Sequence, residues 1–215
     1  MLFLTAGLTG IASFLNSFFW ELDFAVLSFY HSLSEAAGAV LSPIMYVITL
    51  MGEGGYLLMA VSAVMIIFKK TRRTGICCLA GILIGALFTN ITIKPLVQRP
   101  RPYDFDTVNI KLWWDSLGRW RDFEHDYSFP SGHVTAASDF SVAFCCIRGK
   151  KYIPWAILFI CLMGISRNYL MMHYPTDVIA GMLIGIGAGF LSCLLCGMVF
   201  KKLDERKGII SGKGE

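Results

Sequence analysis

The amino-acid sequence predicts an all-α fold: a polytopic membrane helix bundle of six transmembrane helices, with an interfacial amphipathic segment near the N-terminus. Three observations lead there. The 215 residues are 55% hydrophobic and only 16% charged, where soluble domains carry about 25% charged residues. Apolar runs recur at lengths close to the roughly 20 residues that cross the hydrocarbon core. Basic residues gather in short segments between those runs, as they do in the loops of membrane proteins.

Each element can be justified in turn. Residues 1–20, MLFLTAGLTGIASFLNSFFW, form the weakest of the six runs. They have neither a basic n-region nor a small-residue cleavage site, so they do not read as a removable signal peptide. The next stretch, ELDFAVLSFYHSL, is amphipathic and is expected to lie in the interface. The five strong runs are residues 55–68 with their flanks, 74–93, 134–147, 152–165 and 178–200. No internal repeat and no low-complexity linker interrupts them, so residues 1–215 read as a single domain with one long outer loop, 94–130.

All seven cysteines (Cys77, Cys78, Cys145, Cys146, Cys161, Cys193 and Cys196) fall inside these runs. Cys193 and Cys196 have the spacing of a redox pair but no polar or cationic neighbour to activate a thiol. They read as buried small apolar residues, and no disulfide framework is implied.

Charge placement orients the bundle. Lys69, Lys70, Arg72 and Arg73 form one basic loop, and Arg148, Lys150 and Lys151 another. Lys201, Lys202, Arg206, Lys207 and Lys213 lie in the tail, so twelve of the nineteen cations share one side. The positive-inside rule makes that side cytoplasmic, C-terminus included. The opposite side holds residues 94–130 and 167–177, most of the acids, and Trp113, Trp114 and Trp120, which suit an interfacial belt. The formal net charge of +4 thus reflects topology and gives no indication of nucleic-acid binding.

Three outward clusters hold the residues that could do chemistry: KPLVQRPRP (94–102), FPSGH (129–133) and SRNYLMMHYPTD (166–177). Lys94, Arg101 and Arg167 together would make a cationic pocket, with arginine forks matched to phosphate oxygens. Ser131 is a natural helix N-cap, and Gly132 lets a ligand approach the free N–H groups there. His173 stands just before Pro175, which suits a first helical turn. Asp177, four residues on, could fix the imidazole tautomer and leave the other nitrogen as nucleophile. His133 could donate a proton to a leaving oxygen. No metal-ligand spacing is present, and neither metal nor cofactor is expected. Singly, such residues are commonly snorkelling anchors or caps; together on one side of a bilayer they point to a site.

These residues resemble the type-2 phosphatidic acid phosphatase superfamily of integral-membrane lipid phosphatases. Its signature, K-x6-R-P, then P-S-G-H, then S-R-x5-H-x3-D, is matched at all eleven fixed positions between Lys94 and Asp177. The resemblance implies a metal-independent phosphatase acting through a phosphohistidine on His173. Asp177 would orient it and His133 would serve as general acid, while Lys94, Arg101, Ser131, Gly132 and Arg167 hold the phosphate. The implied substrate is a membrane lipid phosphate, undecaprenyl diphosphate foremost, with phosphatidylglycerol phosphate or phosphatidate as alternatives. A transporter or anion-binding protein is the alternative of another class, weakened by the lack of an internal repeat. Asp139, about 240° round the helix from His133, is expected to make a structural hydrogen bond to a neighbouring helix, with a proton path as the alternative.

Overall fold

The computed structural model describes residues 9–105 and 109–211, with side chains as far as Arg206, and all of their regular secondary structure is helical. The first eight residues of the expected N-terminal span, loop residues 106–108, and the tail residues Lys213 and Glu215 lie outside the described residues. In chain order the helices are α1 (Gly10–Phe18), α2 (Trp20–Leu50), α3 (Tyr56–Ile67), α4 (Arg72–Ala86), α5 (Lys94–Val97), α6 (Pro102–Phe105), α7 (Ile110–Ser116), α8 (Gly132–Arg148), α9 (Ile153–Tyr169) and α10 (Pro175–Ser211). A wider, π-helical stretch, Leu87–Ile93, joins α4 to α5. Among these residues there is no strand.

Helices α3, α4, α8, α9 and α10 run between two ends of the bundle. One end carries the basic turns; there Arg73 on α4 pairs with Asp204 on α10 at 2.6 Å. The other carries residues 94–101, 131–133 and 167–177. Their outward faces are apolar, with Val61, Leu83, Ile157, Leu183 and Leu194 exposed, the reverse of a soluble protein and suited to lipid contact.

Helix α8 is the hub, packed against α4, α9 and α10. Its residues Thr135, Ser138, Asp139 and Ser141 are buried, because neighbouring helices rather than lipid surround it. Close packing follows from a glycine stripe on α10. A methyl at Gly181 would sit 2.5 Å from Ser131 O, at Gly185 2.6 Å from Ser138 Cβ, and at Gly189 2.8 Å from Asp139 O. Repeats of small residues every fourth position let two helix backbones approach in this way.

The N-terminal part of the described chain is built from α1 and α2. By length and composition, Trp20–Ile67, Arg72–Phe105 and Pro175–Arg206 could each cross a membrane. The contacts of α2, however, keep its whole length at one end of the bundle. Asp23 accepts from the Thr176 backbone N–H at 3.0 Å, Ser42 shares a hydrogen bond with Tyr169 at 2.8 Å, and Thr49 accepts from Arg167 at 2.6 Å. The helix is broken at Ala37, beside Gly38 and before Pro43, where it bends along the segment 167–177. Residues 34–50, which the hydropathy pattern left unassigned, are its second half. Helix α1, the described part of the expected span 1–20, has nine residues, about 14 Å at 1.5 Å per residue.

The outer loop also differs from expectation. Trp114 is not a membrane anchor: it is buried with Tyr103, Ile110, Leu117, Leu170 and Met172 in one cluster. Trp113 stacks on His31 at 4.6 Å, and Trp120 faces Tyr46 at 5.8 Å. Helices α6 and α7 thus fold back over α2 as a small hydrophobic cap. The cysteines are free thiols; Cys77, Cys78 and Cys196 are buried as expected, whereas Cys146 and Cys161 are exposed.

Candidate active site

The segment between α9 and α10 is buried throughout, which is unusual for a connection. Its backbone is tied down by Met172 N–H on Arg167 O at 3.0 Å and by Asn168 Nδ2 on His173 O at 2.9 Å. Met171 takes a left-handed φ of 56°, a conformation that costs a non-glycine residue energy and persists only where its surroundings impose it. This fixes His173 at the end of the bundle. As the spacing predicted, α10 starts at Pro175 and Asp177 falls in its first turn.

His173 is flanked on both ring nitrogens. Nε2 faces the Arg101 guanidinium at 3.3 Å, while Nδ1 lies 3.4 Å from Ser128 Oγ and 3.6 Å from Asp177 Oδ2. The last distance, between the two groups that the spacing pairs, is slightly longer than a hydrogen bond. Ser128 donates to Asp177 Oδ2 and stands between them. With a donor at Nε2 and acceptors around Nδ1, the partners assign the proton to Nδ1 and turn the Nε2 lone pair toward Arg101. Burial, with the Arg101 charge beside it, pushes the imidazole pKa down to about 3.

Asp177 is held from below by a residue the sequence reading missed. Arg99, fully buried, donates to Asp177 at 2.6 Å, Asp23 at 2.7 Å, Thr176 at 2.8 Å and Asn16 at 2.7 Å. Its guanidinium lies 3.8 Å from the centre of the Tyr174 ring. One cation thus ties α1, α2 and the start of α10 together beneath the site. The only local hint was a second arginine inside RPRP; its partners lie 76 and 78 residues away.

The three predicted cations converge, and they are not free. Residues 121–127 form a strap without regular secondary structure, from which Asp122, Glu124 and Asp126 reach the cations. Asp122 accepts from Arg167 at 2.8 Å, Glu124 accepts from Arg167 at 2.5 Å and from Arg101, and Asp126 accepts from Lys94 and Arg101. The strap is pinned by Trp114 Nε1 on Asp122 O at 3.2 Å and Tyr103 Oη on Glu124 O at 3.0 Å. Burial opposes the charge on Glu124, but Arg167 and Arg101 overcome it and hold the carboxyl far below its usual range. Asp126 is likewise held low, by Lys94 and Arg101 against its burial. The pattern D-F-E-H-D just before PSGH was the available signal for the strap.

His133 completes the ring. Its Nδ1 lies 3.5 Å from Glu124 and its Nε2 lies 3.3 Å from Glu53, on the glycine-rich turn before α3. One ligand atom each from Glu53, Glu124 and His133 fall within 4.8 Å of one another, and among the described residues these could hold a metal ion. Ser131 occupies the N-cap position, but its hydroxyl makes no cap bond and has no partner, and its N–H goes to Asp177 O at 3.1 Å. A methyl at Gly132 would lie 3.2 Å from Asn90 Oδ1, tighter than an ordinary contact. The cavity beside these residues, about 460 Å³, runs from Lys94 and His133 inward to Asp139. The Asp139 carboxylate has no partner on a neighbouring helix, contrary to the expected structural bond.

A family model for the PAP2 superfamily matches residues 75–200, which contain every one of these motif positions. The chain belongs to the PAP2 superfamily. Among its PAP2 relatives, undecaprenyl-diphosphatase BcrC of Bacillus subtilis is 30% identical over 175 residues, covering 79% of this chain and 82% of that protein. Undecaprenyl-diphosphatase of Sulfolobus acidocaldarius is 31% identical over 64% of this chain, and the match spans only 62% of the relative's length. Lipid A 1-phosphatase of Rhizobium etli is 31% identical, covering 70% of this chain and 63% of that one. Two solved PAP2 structures are similar. Aquifex aeolicus LpxE has a TM-score of 0.61 at 25% identity, over 77% of this chain and 93% of that chain. A transmembrane PAP2-type phosphatidylglycerolphosphate phosphatase of Bacillus subtilis has a TM-score of 0.57 at 26% identity, over 95% and 94%.

Proposed function

We propose that this PAP2 protein hydrolyses the terminal phosphate of a membrane lipid through a phosphohistidine on His173, with undecaprenyl diphosphate as its preferred substrate. One observation carries the reading. Arg101, Arg167 and His133, from three separate segments, surround a single carboxylate, that of Glu124. That carboxylate stands where a phosphate's oxygens would be received. His173 Nε2 attacks phosphorus; the N–P bond forms as the P–O bond to the lipid breaks, and His133 gives its proton to the leaving oxygen. Water then attacks, His133 takes back a proton, and phosphate leaves as the P–N bond breaks. Lys94, Arg101 and Arg167 meet the charge spread over the equatorial oxygens.

The preference for undecaprenyl diphosphate rests on the names of two relatives. A phosphatidylglycerol phosphate phosphatase is the second reading, favoured by the solved structure whose match covers nearly the whole chain. The site faces outward and the C-terminus is cytoplasmic, a reading supported by the basic turns at the far end of the bundle. Five helices cross the bilayer and α2 lies in its outer interface, as its contacts along residues 167–177 support.

The test is phosphate release from undecaprenyl diphosphate, phosphatidylglycerol phosphate and phosphatidate by the purified protein in detergent with chelator present. Activity is expected to survive the chelator, to be highest by kcat/KM on the diphosphate, and to be lost in His173→Ala with the fold intact. Undiminished turnover in His173→Ala would refute the phosphohistidine. A higher kcat/KM on phosphatidylglycerol phosphate would favour the second reading.

A further inference from the structure

The acidic strap has no role in the chemistry described above, yet it engages all of that chemistry's cations. Its three carboxylates, Asp122, Glu124 and Asp126, make five ion pairs with Lys94, Arg101 and Arg167. Resting on the phosphatase reading, we propose that Glu124 is a specificity-determining residue that occupies the phosphate place and yields it only to a doubly charged phosphate end. A monoester or diphosphate terminus carries close to two negative charges and three free oxygens. It can therefore replace every bond the carboxylate makes to Arg101, Arg167 and His133 and still gain attraction. A phosphodiester carries one charge and two free oxygens, the same as Glu124, and gains nothing by displacing it.

The physical need for such a residue follows from the site's surroundings. A cationic pocket at a bilayer surface is bathed in phosphodiester headgroups at high local concentration, and unguarded arginine forks would bind them. With each cation already paired, the pocket presents little net field to a monoanion. Specificity of this kind is a difference between two affinities, set by what the wrong ligand fails to compensate. Glu124 suits the role better than its neighbours, because it alone contacts two cradle arginines and His133 together. The strap's backbone is also held at Asp122 by Trp114 and at Glu124 by Tyr103, so that it can return after product leaves.

The experiment measures equilibrium binding of inorganic phosphate and of dimethyl phosphate by phosphorus NMR, in the full-length wild type and in Glu124→Gln, without relying on turnover. The variant keeps the size and removes the charge. The preference for inorganic phosphate over dimethyl phosphate is expected to fall by about tenfold or more in Glu124→Gln, mostly through tighter dimethyl phosphate binding. An unchanged or increased preference would overturn the proposal. A second measurement uses the wild type alone: inorganic phosphate should raise amide hydrogen exchange across residues 121–127 as the strap is expelled. Lowered or unchanged exchange there would mean that the strap closes over phosphate or never leaves, and the proposal fails. The two readings separate cleanly. Lipid phosphate release with an unchanged preference sinks the role of Glu124 alone, while no release and no phosphate binding in either protein sinks both.

Discussion

His173 is the residue whose environment says most about its chemistry. A solvent-exposed histidine titrates near pH 6.5, but this one, buried and beside Arg101, is pushed down to about 3. The unfolded chain therefore binds a proton on it between about pH 6.5 and about 3 while the folded chain does not. The sign follows from linkage: stability falls as pH drops through that window. We expect the thermal midpoint in detergent to decline less steeply with acid in His173→Gln than in the wild type, by differential scanning fluorimetry. Equal slopes would show that His173 is not the titrating group. Arg99 makes the complementary case. Replacing it with Met leaves Asp23 and Asp177 buried without their shared cation, and removal of one partner from such a cluster costs about 3–5 kcal/mol. The unfolding midpoint should fall accordingly, and a near-neutral Arg99→Met would show that the two carboxylates find water or each other's proton instead. His173 and Asp177 were readable from spacing because both lie in one turn-and-helix unit. Arg99 was not readable, since nothing local says which carboxylates it meets.

At the scale of elements, the α8–α10 contact governs how the site is held, since α8 begins at the PSGH motif and α10 begins beside His173. Gly185→Ala places a methyl against Ser138 and the Thr135 carbonyl, and overpacking of this kind costs typically 1–3 kcal/mol. Gly187→Ala, two residues on, meets nothing within 4 Å and gains the helix propensity that glycine lacks, up to about 1 kcal/mol. The two variants should therefore shift the melting midpoint in opposite directions, and a shared direction would contradict the packing described. The stripe G-x-x-x-G-x-x-x-G was present in the sequence and is a readable sign of close helix contact. Helix α2 was not readable in the same way. Glu35, Gly38 and Pro43 dilute its hydropathy, and its role comes from contacts with residues more than a hundred positions away.

For the whole molecule, the arrangement puts α2 and the site at one end and the basic turns at the other. In a background with Cys146 and Cys161 replaced by serine, a cysteine at exposed Glu35 should react with an impermeant maleimide added outside intact cells. One at Lys70 should react only after permeabilisation. The reverse pattern would invert the proposed orientation. The all-helical fold class and the helix ends at which His133, His173, Asp177 and the three cations stand were legible in the sequence itself. Periodicity, composition and motif spacing are local properties, and a bilayer makes them decisive by penalising every unsatisfied backbone group. Only the tertiary structure decided that Arg99 underpins Asp177, that Trp114 is core rather than anchor, that Asp139 faces a cavity, and that an acidic strap sits on Lys94, Arg101 and Arg167. Each of those depends on contacts between segments distant in sequence, where charge pairing and burial are settled by which helix ends meet and not by the pattern along any one of them.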